Sequence, residues 1–258
     1  MASERLLLTG GSGMVGRNIL EHPVAKNWEV LCPSSQELDL TNGGAVADYV
    51  AANKPNIIIH AAGEVGGIHA NMKNPVAFLE RNVAMGRNII MAAYQAGIQN
   101  FINLGSTCMY PRDAENPLNE TAILTGELEP TNEGYAIAKI MATRLCQYIN
   151  IENNNLNYKT IIPCNLYGRY DSFDPDKSHL LPAIIHKIHL AKTNGNKHVE
   201  IWGDGFARRE FMYAGDFADV IMKAASDIVS MPELMNCGLG YDYTINDYYQ
   251  VAAEVIGW

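Results

Sequence analysis

The sequence of 258 residues contains no apolar run long enough to span a bilayer, which takes about 20 predominantly apolar residues. It also contains no internal repeat and no low-complexity tract. Residues 1–8 lack the long apolar segment of a signal peptide and run directly into a predicted strand. These absences predict a cytoplasmic protein without a membrane partner.

Positive charge and cysteine are both scarce. The chain has 19 Lys and Arg against 28 Asp and Glu, and its formal net charge of -9 argues against nucleic acid as the main partner. The five cysteines form an odd set without paired spacing, which indicates free thiols in a reducing cytosol rather than a disulfide framework. We also expect no metal site.

What the sequence does contain is a hydrophobic fraction of 48%, enough for a large core. Apolar runs predict five strands, at residues 5–9, 28–32, 56–60, 101–105 and 158–163, and the stretches between them predict helices at 15–20, 43–52, 75–96 and 133–151. This alternation predicts an α/β fold, a Rossmann-type, doubly wound parallel sheet with helices on both faces.

The alternation changes after residue 163. Residues 164–169 are typical of a turn, 198–202 and 210–213 of short strands, and 180–191 and 214–230 of helices. We therefore expect residues 1–163 to form a dinucleotide-binding domain. Residues 164–258 are expected to form mainly a smaller α/β substrate lobe, interleaved with the sheet rather than joined to it by a clean linker.

The junction between the first strand and the first helix is rich in glycine. Gly10, Gly13 and Gly16 form a G-x-x-G-x-x-G pattern, which permits a tight turn and a close approach of backbone to a pyrophosphate. The helix that follows, beginning near Met14 and Val15, presents N–H groups and partial positive charge to the phosphates. The pattern at this junction predicts a dinucleotide site.

The end of the second strand bears on the choice of cofactor. A carboxylate there would bind the ribose 2′-hydroxyl of NAD and repel a 2′-phosphate. Ser34 and Ser35 stand at this point without an acid, which favours NADP(H), and Arg17 is a candidate for the missing cation. Asp39 and Leu40 are predicted at the edge of the adenine, although this stretch is also consistent with an N-terminal cap for the next helix.

Three further stretches are placed to meet ligands. Ala61 and Ala62 follow the third predicted strand, where small side chains let a cofactor lie across the strand end. Residues 64–71 form a predicted loop of unusual composition, and the connection 111–132 is expected to cover the substrate.

Tyr135 and Lys139 are spaced so that a helix places both side chains on one face, about one turn apart. We expect the Lys139 ammonium to lower the pKa of Tyr135, since it favours the phenolate, and so to suit the phenol for proton transfer near neutral pH. Ser106 follows a predicted strand, and its hydroxyl can hydrogen-bond the same carbonyl oxygen as the phenol. These three residues indicate one active site for carbonyl and hydroxyl chemistry.

Five short segments are more specific than these features. They are Gly13-Met14-Val15-Gly16, Val65-Gly66-Gly67-Ile68, Leu128-Glu129-Pro130-Thr131-Asn132-Glu133, Asn165-Leu166-Tyr167-Gly168 and Trp202-Gly203-Asp204-Gly205. With the Tyr135 and Lys139 pair they resemble the extended short-chain dehydrogenase/reductase family. Within it, essentially the whole chain is similar to NADPH-dependent enzymes that epimerise GDP-4-keto-6-deoxymannose at C3 and C5 and reduce it at C4, giving GDP-L-fucose.

The resemblance implies roles for two further side chains. Cys108 is the base that removes a proton beside the C4 ketone, and His179 is the acid that returns a proton to the opposite face. A thiol suits this role because its unperturbed pKa of about 8.5 is reachable near neutrality. Dehydratases of the family carry Asp-Glu in place of Thr107-Cys108, so the pair indicates an epimerase-reductase.

The resemblance also implies ligand contacts and a homodimer. Pro163, Asn165, Leu166 and His179 join the cofactor site, and the GDP end of the substrate meets Asn165, Lys187, Trp202 and Arg209. Relatives dimerise through the two long helices that correspond to residues 75–96 and 133–151.

The chain departs from the family pattern in places. Ser12, Ser34 and Ser35 stand where members often carry Arg, and Lys187 stands where some carry Arg. Family members also continue past the equivalent of Trp258 by roughly a further helix and strand, which contribute to the nucleotide-sugar site. We therefore expect the sequence to lack such a tail.

Three other functions stay open on the sequence. Relatives that act on the 3,6-dideoxy-4-keto sugar, inverting only C5, use the same catalytic set, and the motifs do not separate the two substrates. A non-catalytic dinucleotide-binding sensor is expected to lack some of Ser106, Tyr135 and Lys139, yet all three are present. The Thr107-Cys108 pair disfavours a dehydratase or a 4-epimerase with tightly held NAD.

Overall fold

The computed structural model describes residues 4–174 and 178–258. The strands, in chain order, are β1 (Arg5–Thr9), β2 (Glu29–Leu31), β3 (Ile57–His60), β4 (Asn100–Leu104), β5 (Asn157–Pro163), β6 (Asn165–Tyr167), β7 (Arg208–Arg209), β8 (Phe211–Tyr213), β9 (Leu234–Cys237) and β10 (Tyr243–Thr244). The helices are α1 (Met14–Glu21), α2 (Gly43–Asn53), α3 (Ile68–Lys73), α4 (Pro75–Gln95), α5 (Glu133–Glu152), α6 (Leu180–Asn194), α7 (Ala214–Ser226) and α8 (Ile245–Ile256). None of the helices in these residues is long and apolar enough to cross a membrane.

Six strands form the central sheet in the order β2-β1-β3-β4-β5-β9. Every neighbouring pair is parallel, which confirms the predicted Rossmann-type fold. The direction of winding reverses between β1 and β3, and in open α/β sheets the crevice outside the carboxyl ends of the strands at such a point takes ligands. The topology therefore places a ligand crevice beside the residues that follow β1, β3 and β4.

Helices cover both faces of the sheet because its strands are apolar on both faces. On one face Leu6 and Leu8 pack with α1 and α7, through side chains such as Phe217. On the other face Leu7 and Phe101 pack with α2, α4 and α5. The two cores hold the carboxyl edge of the sheet in a fixed position.

The residues after β5 form a smaller set of elements. Strand β6 pairs in parallel with β8, β7 pairs antiparallel with β10, and α6 and α8 enclose an apolar cluster that includes Ile184, Ile188 and Phe211. In contrast, β9 joins the central sheet beside β5, and α7 packs against α1. The division at residue 163 stays a prediction.

Several element predictions in this region are wrong. Residues 198–202 form no strand, and positive φ angles at Gly195 and Gly203 turn the chain on either side of them. The predicted turn at 164–169 contains β6, which local patterning did not indicate because it forms by pairing with β8. The predicted helix at 214–230 ends at Ser226, and a 3₁₀ turn, Ile228–Ser230, follows it.

Candidate active site

The glycine turn between β1 and α1 is packed too closely for side chains at Gly10 and Gly16. Gly10 has a φ of +78°, and a Cβ placed there would lie 2.5 Å from the Ala62 backbone nitrogen. A Cβ on Gly16 would lie 2.3 Å from the Gly10 carbonyl oxygen. Gly13 is the N-cap of α1 and brings no side chain to it, so the first N–H groups, near Met14, remain for an anion.

The turn after β2 contains an acid that the sequence analysis missed. Ser34 and Ser35 are exposed or partly exposed, as a ligand contact requires, but Glu37 folds back so that its Oε2 accepts the Ser34 N–H at 2.8 Å. The Ser34 backbone and hydroxyl hydrogen bonds lower the pKa of Glu37. The Glu37 carboxylate thus closes the turn. The sign of this bond in the sequence is that Glu37 stands three residues after a serine. Arg17 on α1, the candidate for the cation near the 2′-phosphate, has its guanidinium 5.0 Å from the centroid of the Tyr170 ring.

The stretch before α2 is shaped by its own hydrogen bonds. Asp39 Oδ1 accepts from the Thr41 N–H and hydroxyl at 2.9 and 2.8 Å. Leu40 is buried in the core, and Asn42, rather than Asp39, caps α2 through a bond from Ala45 N–H. The adenine contacts of Asp39 and Leu40 stay a prediction.

Strand β4 delivers Ser106 and Cys108 to the crevice. Ser106 caps the 3₁₀ turn Thr107–Met109, and its Oγ accepts the Cys108 N–H at 3.4 Å. Burial raises the pKa of the Cys108 thiol to about 11, opposed by a hydrogen bond with Ser106 and by the Lys139 charge. The expectation of a thiol that ionises near neutrality is therefore wrong for this state of the site, because partial removal from water disfavours the thiolate.

Helix α5 brings Tyr135 and Lys139 to the same place, as predicted from their spacing. Lys139 is only 9% exposed and donates to the Leu104 carbonyl at 2.9 Å, with its Nζ 5.7 Å from the centroid of the Tyr135 ring. Burial lowers the pKa of Lys139 to about 8. Burial also raises the pKa of Tyr135, and negative charge on Cys108 raises it further. The predicted lowering of the tyrosine pKa is wrong here, because desolvation disfavours the phenolate.

Beneath these groups, a row of buried polar side chains crosses four strands in register. Thr9, His60, Asn103 and Thr160 are paired neighbours on β1, β3, β4 and β5. Thr9 Oγ1 lies 2.8 Å from His60 Nδ1, and Asn103 Nδ2 donates to Thr160 Oγ1 at 3.3 Å. Burial and the Lys139 charge lower the pKa of His60 to about 3, so this imidazole is neutral. Apolar patterning did not reveal the row, whose members lie in otherwise apolar strands.

One side-chain amide, that of Asn82, holds the residues that follow β3. Ala61 N–H donates to Thr9 O, and Ala62 and Gly63 follow without regular structure. Asn82 of α4 accepts the Glu64 N–H at 2.9 Å and donates to the Glu64 carbonyl at 3.1 Å. Asn82 is buried, and the sequence analysis gave it no such role.

His179 lies at the exposed N-cap of α6. Burial raises the pKa of the nearby Asp171, opposed by a backbone hydrogen bond from Ser172 and by interaction with His179. Pro163 ends β5, and on β6 Asn165 donates to the Glu210 carbonyl at 2.9 Å while Leu166 is partly buried. Pro163 and His179 lie at the ends of elements, and Asn165 and Leu166 lie on β6. The ligand contacts predicted for these four residues stay predictions.

Of the four side chains predicted for the GDP end, only Lys187 and Trp202 are shown in contact with each other. Lys187 Nζ lies 5.1 Å from the centroid of the Trp202 ring, which is 69% exposed. His69 meets the same ring edge to face, with the centroids 5.4 Å apart. Arg209 is exposed on β7, where its guanidinium donates to the Arg208 carbonyl. An exposed indole with a cation against it is suited to stack on a base.

The arrangement defines a class of protein. A bare glycine turn faces the N-terminus of α1 at the topological switch point, and a serine, a thiol, a tyrosine and a lysine meet at the adjoining strand end. A dinucleotide fits this turn because no side chain caps the N-terminus of α1, which leaves its first N–H groups for a phosphate. The fold and the site are those of a dinucleotide-dependent carbonyl or hydroxyl enzyme.

The profile of the NAD dependent epimerase/dehydratase family matches residues 6–238. The chain belongs to that family. It is 55% identical over 254 residues to GDP-L-colitose synthase of Yersinia pseudotuberculosis, covering 98% of this chain and 82% of that one. It is 51% identical over 255 residues to GDP-L-fucose synthase of Azorhizobium caulinodans, covering 99% and 81%.

Solved structures agree with this assignment. A GDP-L-fucose synthetase from Naegleria fowleri bound to NADP superposes with a TM-score of 0.88 at 27% identity, covering 100% of this chain and 79% of that one. A GDP-D-glycero-L-gluco-heptose synthase from Campylobacter jejuni, in the presence of NADPH, gives a TM-score of 0.89 at 28% identity, covering 100% and 87%.

Proposed function

We propose that the protein is an NADPH-dependent epimerase and reductase that converts GDP-4-keto-6-deoxymannose to GDP-L-fucose. The observation that carries the proposal is the convergence of Ser106, Cys108, Tyr135 and Lys139 at the carboxyl end of β4. Tyrosine, lysine and serine suit reduction of a ketone, and the added thiol supplies a base for epimerisation. The names of the 51–55% identical relatives support the same substrate class.

We propose NADP(H) as the cofactor, held by residues on the turn, the β2 end and the later loops. These are Gly10, Gly13, Met14, Val15, Gly16, Ser34, Ser35, Asp39, Leu40, Ala61, Ala62, Tyr135, Lys139, Pro163, Asn165, Leu166 and His179. The Naegleria fowleri structure, in which NADP is bound, supports this choice. The cofactor, when bound, supplies the hydride for C4.

The side chains move protons around the ketone. The C4 carbonyl acidifies the C–H bonds at C3 and C5, and the Cys108 thiolate takes a proton from them. Ser106 and Tyr135 hydroxyls donate to the C4 oxygen, so they stabilise the enolate charge. His179 returns a proton to the opposite face. Tyr135 finally gives its phenolic proton to the C4 oxygen, with Lys139 beside the ring.

Ionising Cys108 is the costly step, since burial holds its pKa near 11. The Lys139 charge and the Ser106 hydrogen bond both lower that pKa and so favour the thiolate. In turn, negative charge on Cys108 raises the pKa of Lys139, which burial lowers to about 8. Each charge therefore stabilises the other, whereas burial opposes both.

We propose that Asn165, Lys187, Trp202 and Arg209 bind the GDP end. Lys187 and Arg209 offset the diphosphate charge, and Arg209 offers the planar fork that suits two oxygens. The exposed Trp202 ring stacks on the base.

We propose a homodimer in a reducing, cytosolic compartment. Helices α4 and α5 pack together and leave the apolar side chains of Val76, Ile137 and Ile151 exposed, with Ile151 at 77%. A second copy would cover them as a four-helix contact. The five cysteines are free thiols, which favours the cytosol.

A second candidate is the GDP-L-colitose reaction, in which the 3,6-dideoxy-4-keto sugar is inverted at C5 alone and reduced at C4. The observation that favours it is the 55% identity to the Yersinia pseudotuberculosis protein, above the 51% to the Azorhizobium caulinodans protein. The catalytic residues required are the same.

The test supplies NADPH and either GDP-4-keto-6-deoxymannose or its 3-deoxy analogue in deuterated water. NADPH absorbance and deuterium at C3 and C5 are followed. Turnover of the first substrate with label at both carbons supports the fucose reaction. Preference for the analogue, with label at C5 alone, moves the assignment to colitose. If neither substrate supports NADPH oxidation or takes up label, the proposed function is wrong.

A further inference from the structure

The turn after β2 is where the two nicotinamide cofactors differ in their contacts. In Rossmann-type sheets an acid beyond the second strand binds the 2′-hydroxyl of NAD, whereas a nearby arginine accommodates the 2′-phosphate of NADP. Here β2 ends at Leu31, and the first acid that follows it is the exposed Glu37. The position of Glu37 relative to the glycine turn decides how its charge acts on a bound cofactor.

Hydrogen bonds fix the Glu37 carboxylate within this turn. Its Oε2 accepts the Ser34 N–H at 2.8 Å, and the Glu37 N–H donates to Ser34 Oγ at 3.3 Å and to the Ser34 carbonyl at 3.1 Å. The Leu38 N–H donates to the same carbonyl at 2.9 Å, and the Leu38 side chain is buried in the core. The carboxylate is therefore held in place, and it occupies the backbone donor that a phosphate at Ser34 would use.

The charge of Glu37 acts on a side chain that touches the glycine turn. The sulfur of Cys32 packs against Gly11 so closely that a Cβ placed on Gly11 would overlap it. Burial raises the pKa of Cys32, a backbone hydrogen bond with Gly11 lowers it, and the negative charge of Glu37 raises it. Glu37 is therefore within electrostatic range of the glycine turn.

Glu37 forms no ion pair in the part of the chain that the structure describes. Hydrogen bonds from Ser34, rather than a positive charge, lower its pKa. Arg17, which the sequence suggests as the cation for a 2′-phosphate, has its guanidinium against the Tyr170 ring. A 2′-phosphate bound at this turn would therefore face a carboxylate that no cation neutralises.

We propose that Glu37 limits the preference of the protein for NADPH over NADH. A phosphate monoester carries about 1.5 to 2 negative charges at pH 7, so the carboxylate repels the 2′-phosphate of NADPH. The 2′-hydroxyl of NADH is uncharged and meets no such repulsion. The inference rests on the proposed cofactor and adds the residue that sets its selectivity.

The test measures the dissociation constants of NADPH and NADH for the full chain by isothermal titration calorimetry, and the ratio of the two is the selectivity. Glu37→Gln removes the charge and keeps an amide oxygen that can accept the Ser34 N–H. At low ionic strength we expect this variant to bind NADPH about 5-fold more tightly than the parent, and NADH within about 2-fold, since exposed charges a few ångströms apart change affinity by that order. In about 1 M salt, where the Debye length is about 3 Å, the gain should fall below about 2-fold.

Glu29→Gln is the matched control, because Glu29 is an exposed carboxylate at the opposite end of β2. It should leave the ratio unchanged at both ionic strengths. An equal shift of the ratio in the two variants would overturn the assignment to Glu37, because net charge alone would then explain the selectivity.

An unchanged ratio in Glu37→Gln also overturns the proposal, as does a gain that persists in high salt. An equal loss of NADPH and NADH affinity, with a lower melting temperature, would show that Glu37 only shapes the turn. In each of these cases a parent protein that binds NADPH retains the proposed cofactor, and only the role of Glu37 fails. If the parent binds neither dinucleotide, the proposed cofactor fails with it.

Discussion

Cys108 and Lys139 form the electrostatic centre of the site at the scale of single residues. Burial raises the pKa of the thiol and lowers that of the ammonium, so it opposes charge on both. Each group favours charge on the other. The consequence is that removing one charge should suppress the other.

Lys139→Met should slow alkylation of Cys108 by iodoacetamide at pH 7, below the pKa of about 8 at which Lys139 loses its charge. Without the ammonium the pKa of Cys108 rises above about 11, and the thiolate fraction at fixed pH falls about tenfold for each unit. The rate is measured by mass spectrometry of the Cys108 peptide. Cys32 is the internal control, since its pKa responds to burial, Gly11 and Glu37 rather than Lys139. Equal Cys108 rates in the variant and the parent would contradict the coupling.

His60→Asn should flatten the dependence of stability on pH below neutrality. The pKa of His60 is about 3 in the folded state, below its unfolded value of 6.5, so the unfolded chain binds more protons between these values. Stability is therefore lost as pH falls below about 6.5, by about 2 kcal/mol between pH 7 and pH 5 for this residue. Asn keeps polar atoms for a bond to Thr9 but does not titrate.

Urea denaturation of the His60→Asn variant and the parent at pH 7 and pH 5 measures the difference. We expect the parent to lose about 2 kcal/mol more than the variant over this interval. An equal loss in the two proteins would show that His60 does not remain neutral in the fold.

At the scale of elements, the contact between α1 and the glycine turn leaves no room for a side chain. Gly16→Ala places a Cβ 2.3 Å from Gly10 O and 2.5 Å from Gly11 Cα, both of them backbone atoms. We expect a destabilisation of about 1–3 kcal/mol from the forced shift, and at least roughly a tenfold loss of NADPH affinity. Gly44→Ala in α2 is the control, because its nearest contact is 3.6 Å and a helical alanine should stabilise by about 0.5–1 kcal/mol.

Urea denaturation and fluorescence titration with NADPH measure the two effects. Equal stability and affinity in the Gly16→Ala protein and its parent would contradict the close approach of helix and turn.

Asn236 on strand β9 makes several hydrogen bonds to the long connection 111–132 and to Tyr110 before it. Asn236 Oδ1 accepts the Tyr110 hydroxyl at 2.6 Å, and Nδ2 donates to the Leu118 carbonyl at 2.9 Å. The Asn236 N–H donates to Glu120 Oε1 at 2.7 Å. Asn236→Ala should destabilise by about 1–3 kcal/mol and speed hydrogen exchange in residues 118–122. Unchanged exchange rates in that segment would show that Asn236 does not hold it.

Apart from α3, the elements up to β5 followed from the sequence, as did α6, α7 and β8 after it, whereas β6, β7, β9 and β10 did not. Runs such as Leu6-Leu7-Leu8 and Ile57-Ile58-Ile59 are apolar on every side, which predicts strands buried on both faces. Strands β6, β7 and β10 have only two or three residues each and exist through their partners. Strands this short leave no periodicity in the sequence. For the same reason an apolar alternation over five residues, as at 198–202, does not by itself establish a strand, and the strand predicted there is wrong.

The site, at the scale of the whole molecule, is assembled from distant parts of the chain. The glycine turn, Ser106 and Tyr135 meet because parallel strands bring their carboxyl ends to one edge. The spacing of Tyr135 and Lys139 predicted that they lie together on one helix, as the structure shows, whereas the catalytic roles stay predictions. It did not predict that burial would reverse the expected pKa values of Tyr135 and Cys108, since desolvation depends on everything packed around them.

Four polar residues that sequence patterns did not single out depend on the fold in the same way. Their polar groups matter only through neighbours that the fold supplies, and they are Glu37, His60, Asn71 and Asn103. Each looks like an ordinary loop, strand or helix residue in the sequence.

The central claim is that one site carries out two reactions through different side chains. Its most direct test follows deuterium exchange at C3 and C5 of GDP-4-keto-6-deoxymannose, and NADPH oxidation, in the parent, Cys108→Ser and Tyr135→Phe proteins. Tyr135→Phe should retain measurable exchange, since Ser106 still donates to the C4 oxygen, but lose reduction by about 10²–10⁴-fold. Cys108→Ser should lose exchange by a similar factor. Exchange at the parent's rate in Cys108→Ser would contradict the account.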